Sequence, residues 1–240
     1  MNVFDEMGIY WSEIADQNQT EAQIQFIKNT VKPDGLVLDL ACGTGRHSIP
    51  LGKEGYSILC LDVSLNLLKI AKSRSGGIQV VRGDMRCLPF KPEVFSAVVS
   101  MDTSFGYLPS EEEDLRSLNQ VRKVLGEKGF LVVDVFNREH LINRVKAIGQ
   151  PKWREFPSFF LLQKRTVTAG GGFLCDVWTT WDKADGQVRV FEHLARLYAL
   201  SQLQALFEKA GFKIKAVYRD YDRQSFSPNS NRLILVAAAK

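Results

Sequence analysis

The sequence predicts a doubly wound α/β fold, in which helices cover both faces of a mostly parallel sheet, with an inserted antiparallel β segment. Three observations predict it. Short apolar runs alternate with helical patterns between residues 36 and 136, and a glycine-rich turn follows the first of these runs. Residues 153–198 carry glycine turns and many aromatic and β-branched residues, which is typical of hairpins rather than of parallel crossovers.

The length of 240 residues indicates one large domain, or one domain with an insertion. We place a core in residues 1–150 and 199–240. The inserted β-rich subdomain is predicted to occupy residues 151–198, where the change in composition begins and ends.

The first elements are predicted from local spacing. Residues 12–31 predict an amphipathic helix, in which Thr20 and Gln23 have the spacing of a capping box. Residues 33–35, Pro-Asp-Gly, end that helix. The apolar residues 36–40 then predict a strand that is buried on both faces, as in a parallel sheet.

The remaining elements continue the alternation. Further strands are predicted at residues 55–62, 78–83, 94–101 and 129–136, and helices at residues 64–73, 111–125 and 138–148. A short helix also follows the glycine turn, with Pro50 in its first turn. Within the insert, Gly170–Gly172 and Asp185-Gly186 predict hairpin turns. The chain ends with a helix at residues 201–210, stopped by Gly211, and with strands at residues 212–221 and 233–238.

Composition narrows the class of protein. The hydrophobic fraction is 45% and the charged fraction 24%, both typical of globular domains, and no apolar run is long enough to span a membrane. Because no secretory signal is recognisable, we expect a cytoplasmic protein without a membrane partner. The net charge of +4 is dispersed, which does not favour nucleic-acid binding and does not exclude it. The four cysteines form no C-x-x-C pair and there are three histidines, so no metal site is predicted.

The glycine turn and a later carboxylate indicate an adenosine-containing ligand. Gly43 and Gly45 lie where a strand runs into a helix, and Asp62 ends the next strand, 19 residues after Gly43. A carboxylate at that place can accept hydrogen bonds from ribose hydroxyls. Ser48 stands where a dinucleotide-binding loop has its third glycine, and no Gly-Lys-Ser/Thr follows. An adenosine ligand without phosphates therefore fits better.

Five motifs resemble those of class I S-adenosylmethionine-dependent methyltransferases. Residues 37–46 (VLDLACGTGR) resemble the first motif and residues 61–64 the second, and Gly83-Asp84-Met85 the third, with residues 98–108 and 124–131 as the fourth and fifth. The resemblance covers residues 36–136, and Ala210-Gly211-Phe212 resembles the family's last helix and strands. One departure is Ala41, where many members have glycine.

The resemblance implies a fold, a cofactor and a set of site residues. The fold is a seven-stranded Rossmann-like sheet whose final strand is antiparallel. The cofactor is S-adenosyl-L-methionine, with S-adenosyl-L-homocysteine as the product. The cofactor-binding residues that it implies are Tyr10, Asp39, Ala41, Gly43, Gly45, Arg46, Asp62, Val63, Asp84, Met85 and Met101.

Several of these residues have a second interpretation. Asp39 either braces the glycine loop or contacts the amino group of the cofactor. Asp84 either hydrogen-bonds the adenine or forms an ion pair with Arg86. Tyr10, together with Trp11, belongs either to an N-terminal lid over the cofactor or to the aromatic core.

Methyl transfer is an in-line displacement, so alignment and exclusion of water are the main tasks of the protein. If the acceptor must lose a proton, the candidate bases are Asp102, Tyr107 and His193. We expect an enzyme that methylates a nitrogen or oxygen atom of a small molecule. The insert would roof the acceptor site, with Trp153, Phe159, Phe160, Trp178 and Trp181 as apolar walls.

Two alternatives to a small-molecule acceptor stay open at this point. One is a tRNA or protein methyltransferase, and the other is a protein that binds S-adenosylmethionine without catalysis. The assembly is predicted to be a monomer or a homodimer, since hairpin edges can pair between subunits.

Overall fold

A computed structural model of the chain describes residues 3–15, 19–148 and 150–240. Its helices are α1 (Val3–Ile14), α2 (Thr20–Val31), α3 (Ser48–Lys53), α4 (Leu65–Arg74), α5 (Glu111–Val124), α6 (Arg138–Ile148) and α7 (Leu200–Lys209). Its strands are β1 (Val37–Leu40), β2 (Ile58–Asp62), β3 (Gln79–Arg82), β4 (Phe95–Ser100), β5 (Leu125–Phe136), β6 (Lys152–Glu155), β7 (Phe159–Val167), β8 (Phe173–Asp182), β9 (Val188–Arg196), β10 (Phe212–Tyr218) and β11 (Arg232–Ala239).

The larger sheet has seven strands in the order β10-β11-β5-β4-β1-β2-β3. Strands β1 to β5 pair in parallel, whereas β11 is antiparallel to both β5 and β10. The predicted doubly wound sheet and its antiparallel final strand are therefore confirmed. The strand order reverses between β1 and β4, and open α/β sheets bind ligands at such a switch point.

The core lies on both faces of this sheet. Successive residues of β1 point to opposite faces, so Leu38 packs in one apolar cluster with Val98 and Leu131, and Val37 packs in the other with Val99. All four residues of β1 are buried, as the continuous apolar run predicted. A strand buried on both faces fixes the position of the loop that follows it.

The smaller sheet is antiparallel and has four strands in the order β6-β7-β8-β9. All of it lies within the predicted insert. The glycines at residues 170–172 lie between β7 and β8, and Gly186 lies between β8 and β9 with φ 70°. Both predicted hairpin turns are therefore confirmed.

One face of the smaller sheet is exposed to solvent. Trp153, Phe160 and Trp181 on it are 61%, 39% and 39% exposed, so the prediction that these three form walls of an acceptor site is wrong. The other face packs on α1: Phe159 and Trp178 are buried there in a cluster with Met7 and Tyr10. Phe159 and Trp178 are part of this buried cluster, and neither lines the large cavity described below.

The predicted helix at residues 12–31 is wrong. Two helices occur instead, α1 and α2, and residues 16–18 of the predicted helix lie outside the described residues. The capping box is also not formed, since α2 begins at Thr20 after Gln19 and has no side-chain cap. Gln23 instead contacts Arg46, His47 and Tyr221, because tertiary partners compete with the local cap.

Strand β5 begins at Leu125, four residues before its predicted start at Gly129. Leu125 pairs with Phe95 and Phe130 pairs with Ala97, so the register shifts at a bulge between them. A Cβ on Gly129 would lie 2.6 Å from the Leu125 side chain, so the bulge needs a glycine there.

Candidate active site

A cavity of about 1000 Å³ opens at the carboxyl ends of β1, β2 and β4. We call it the large cavity. The loop after β1 and the end of β2 form one side of the cavity, and the segment 101–109 after β4 forms another. The N-terminal helix α1 and strand β9 of the smaller sheet close the remaining side. The volume lies at the upper end of the range for small-molecule sites, about 300–1,000 Å³.

The glycine loop begins with two left-handed residues that bring its backbone to the cavity. Gly43 has φ 57° and Ala41 has φ 60°, and both line the large cavity. Glycine adopts this conformation freely, whereas an alanine there costs about 1 kcal/mol. The departure at Ala41 is therefore tolerated at a modest cost in stability.

Asp62 holds the glycine loop against the start of α4. One of its oxygens accepts a hydrogen bond from the Gly43 backbone N–H, and the other accepts one from the Ser64 N–H, each at 2.8 Å. The side chain is buried, and this burial raises its pKa. Each oxygen retains a second lone pair, so a ligand in the cavity can still donate to Asp62.

Asp39 lies at the end of β1, fully buried beside the glycine loop. Its carboxylate accepts a hydrogen bond from the Ser48 hydroxyl at the start of α3. Burial raises the pKa of Asp39 to about 6, while the Ser48 bond and Arg46 act in the opposite direction. Asp39 thus braces the loop and also lines the large cavity, so the two predicted roles are compatible.

Asp84 lines the large cavity but is paired with Arg86. Its carboxylate lies 2.6 Å from the Arg86 guanidinium, which also contacts Glu113 at 3.1 Å. The Arg86 hydrogen bonds lower the pKa of Asp84. A ligand that uses Asp84 must therefore share it with Arg86.

The segment after β4 is held by a buried polar network. Asp102 and Thr103 both have left-handed backbones, with φ 57° and 64°. Their N–H groups donate to Asp134, at 3.0 Å to its carboxylate and 2.8 Å to its carbonyl. Asp134 forms a buried ion pair with Arg232 at 2.7 Å, and Arg232 also donates to the Thr103 hydroxyl. The carboxylate of Asp102 is thereby fixed at the cavity, 3.1 Å from Arg46.

His193 and Tyr107 line the opposite wall of the large cavity. Their rings lie 5.9 Å apart, and Trp178 packs edge-on against His193 at 5.3 Å. His193 Nε2 is 3.9 Å from the Asp176 carboxylate, and its Nδ1 is buried with no hydrogen-bond partner among the described residues. Burial lowers the pKa of His193 and raises that of Tyr107. At neutral pH both rings are therefore uncharged.

Sequence comparisons identify the family. A family model described as "Methyltransferase domain" matches residues 37–129. A putative methyltransferase, YqeM of Bacillus subtilis (strain 168), is 24% identical over 98% of this chain and 96% of its own length. Together these comparisons support a class I S-adenosylmethionine-dependent methyltransferase.

Solved structures share the fold of this methyltransferase along its whole length. The CcbJ methyltransferase from Streptomyces caelestis superposes with a TM-score of 0.84 at 18% identity, covering 99% of this chain and 97% of CcbJ. CalS10, solved with S-adenosylmethionine bound, is an amino pentose methyltransferase from Micromonospora echinaspora. It has a TM-score of 0.68 at 18% identity and covers 97% and 95% of the two chains.

Two predicted cofactor residues of the methyltransferase do not line the large cavity, Tyr10 and Gly45. Tyr10 is buried against the smaller sheet, where its hydroxyl contacts Asp182 at 3.0 Å and Arg189 at 2.5 Å. Its neighbour Trp11 faces the cavity instead and stacks on Trp178. The other predicted site residues do line it: Asp39, Ala41, Gly43, Arg46, Asp62, Val63, Asp84, Met85, Met101, Asp102, Tyr107 and His193.

Three residues of the methyltransferase that contact the cavity-lining residues from behind were not predicted from the sequence: Asp134, Asp176 and Arg232. Asp176 lies opposite His193 only because β8 and β9 pair in that register, and no motif marks it. Asp134 and Arg232 are brought together by the pairing of β5 with β11.

No helix in the described part of the chain is long and apolar enough to cross a membrane.

Proposed function

We propose that this methyltransferase transfers a methyl group from S-adenosylmethionine to a nitrogen or oxygen atom of a small-molecule acceptor. One observation carries the proposal. A single cavity connects the glycine loop and Asp62 with His193 on the smaller sheet, so the cofactor and the acceptor have one shared space.

The residues on the glycine-loop side fit the cofactor. Asp62 has lone pairs left for the two ribose hydroxyls, and the Asp39 carboxylate lines the same cavity and can pair with the amino group of the methionine part. Gly43 lets the backbone approach closely, and Val63 and Met85 add apolar surface for the adenine. S-adenosylmethionine supplies the methyl group on a sulfonium, and the neutral thioether that leaves needs no acid.

His193 is the best supported of the three candidate bases. Burial lowers its pKa, so the ring is neutral at neutral pH and can accept a proton. Tyr107 stays protonated because burial raises its pKa, and the Asp102 carboxylate is already engaged by Arg46. We therefore assign proton acceptance to His193 and orientation of the acceptor to Tyr107.

The smaller sheet supports a small acceptor rather than a macromolecule. Strand β9 and α1 close one side of the large cavity, which leaves a space of small-molecule size. CalS10, an amino pentose methyltransferase, has the same fold. In this proposal residues 151–198 act as a cap over the acceptor and the rest of the chain binds the cofactor.

The proposal is tested first by calorimetric titration of the purified protein with S-adenosylmethionine and S-adenosylhomocysteine. NADH and ATP serve as controls, because the glycine loop lacks the features that bind their phosphates. Binding of only the first two ligands, with a Kd of about micromolar, would support the proposal and justify a screen of small amines and amino sugars. A folded sample that binds neither would refute it.

A further inference from the structure

A second cavity, of about 340 Å³, lies between α6 and the edge of the smaller sheet. Four cationic side chains line it: Arg144 from α6, Lys152 and Arg154 from β6, and Arg165 from β7. Among the residues that the structure describes, no aspartate or glutamate belongs to its lining.

Local geometry explains why the cations converge. Lys152 and Arg154 alternate along β6, so they share the face of the sheet that Arg165 also uses on β7. On α6, His140 and Arg144 are one helical turn apart and point to the same side. Three elements, α6, β6 and β7, thus direct positive charge into one space.

Most of this charge has no carboxylate partner, although the Arg154 guanidinium lies 4.8 Å from the centre of the Phe156 ring. All four cationic residues are exposed to solvent, so water and salt screen their charges. Among the described residues, Arg144, Lys152 and Arg154 form no ion pair. Arg165 is the exception, since its Nε lies 2.8 Å from Asp176. Like charges around one cavity repel each other, and a bound anion would remove that repulsion. Guanidinium groups in addition match the geometry of phosphate and carboxylate oxygens.

Asp176 lies between the two cavities and lines neither of them. Its carboxylate contacts Arg165, which lines the second cavity, and lies 3.9 Å from His193, which lines the large one. Among the described residues the two cavities have no lining residue in common, so we treat them as separate spaces.

We propose that the second cavity binds an oxyanion, phosphate or carboxylate. This anion site stands on the second cavity alone and does not depend on the proposed function.

The anion site is tested by calorimetric titration of the full chain with inorganic phosphate, pyrophosphate and malonate at low salt. We expect binding of at least one of them, weakened about tenfold or more in the double variant Arg144→Ala/Lys152→Ala. The matched control Lys213→Ala/Lys215→Ala removes the same charge from β10, where both lysines are as exposed to solvent as Arg144 and Lys152 are, and should bind as the wild type does. The phosphate and malonate arms distinguish the two kinds of oxyanion.

Two outcomes of the titration would overturn the site. One is a wild type that binds none of the three anions, and the other is equal weakening in both double variants. Neither depends on methyl transfer, so the result is separate from the fate of the proposed function.

Discussion

At the residue scale, two buried carboxylates beside the same glycine loop have different hydrogen-bond partners. Asp62 accepts two backbone hydrogen bonds and so fixes the loop directly, whereas Asp39 bonds a hydroxyl at the start of α3. Both were identified from the sequence by their positions at strand ends. What the sequence did not contain is how strongly burial raises the pKa of each.

The substitution Asp62→Ala should weaken binding of S-adenosylhomocysteine by about 1–3 kcal/mol, because hydrogen bonds to a charged acceptor are lost. Calorimetry measures this directly. The control Asp34→Ala removes an exposed carboxylate before β1 and should leave the dissociation constant unchanged. An Asp62→Ala protein that is folded and binds as tightly as the wild type would refute the ribose assignment.

Cofactor affinity should fall as the pH drops below about 6, since burial raises the pKa of Asp39 to about 6 and protonation removes its attraction for an ammonium group. Titrations across this range, repeated with Asp39→Asn, measure the effect. Asp39 itself favours the folded state at low pH, because the folded state binds this proton more tightly than the unfolded one. Weaker binding at low pH would therefore not reflect unfolding caused by Asp39. The assignment is contradicted if Asp39→Asn shows the same pH dependence as the wild type.

The substitution His193→Asn should lower kcat by about 10²-fold with whichever amine the acceptor screen returns, since a general base contributes that much. Affinity for S-adenosylhomocysteine should change little. In the wild type, kcat should fall only below pH 6.5, because burial lowers the pKa of His193 from that value and the neutral ring prevails above it. A variant with wild-type kcat would exclude His193 as the base.

At the scale of elements, the segment after β4 is the part most dependent on its surroundings. Gly106 has φ 105°, and its carbonyl accepts a hydrogen bond from the Arg196 N–H at 2.8 Å, which ties the segment to β9. A Cβ at Gly106 would lie 2.7 Å from the Arg196 carbonyl oxygen. This contact sets the distance between the two walls of the large cavity.

The substitution Gly106→Ala should therefore destabilise the protein by about 2–4 kcal/mol, from backbone strain together with the steric clash. Gly186→Ala is the matched control, since it also has a positive φ, 70°, but has no atom near its Cβ. Denaturant unfolding compares the two variants, and the control should lose about 1 kcal/mol. Equal losses would mean that the contact with β9 contributes nothing.

At the scale of the whole molecule, α1 connects the two sheets across the large cavity. Asp5 accepts hydrogen bonds from Ser64 and Asn66 on the cofactor side. Two and five residues later, Met7 and Tyr10 pack into the smaller sheet, and Trp11 lines the large cavity. The position of the smaller sheet therefore depends on a helix that also lines the large cavity.

Binding of S-adenosylhomocysteine should slow amide hydrogen exchange in α1, because ligand contacts with Trp11 oppose local opening of the helix. Exchange followed by mass spectrometry measures this. Strand β10, at the far edge of the larger sheet, serves as an internal control and should not change. Slowing that is equal in both elements would indicate global stabilisation and contradict a direct contact.

The sequence by itself determined the doubly wound fold, the antiparallel insert, the glycine loop and the carboxylates Asp39 and Asp62. These follow from local periodicity and from motifs confined to strand ends, which short stretches of chain encode. The tertiary structure alone decided the break between α1 and α2, the inward turn of Tyr10, the Asp176–His193 pairing and the basic second cavity. Each of these depends on strand register or on packing between distant segments, and a shift of register by one residue would turn the same side chains to the opposite face.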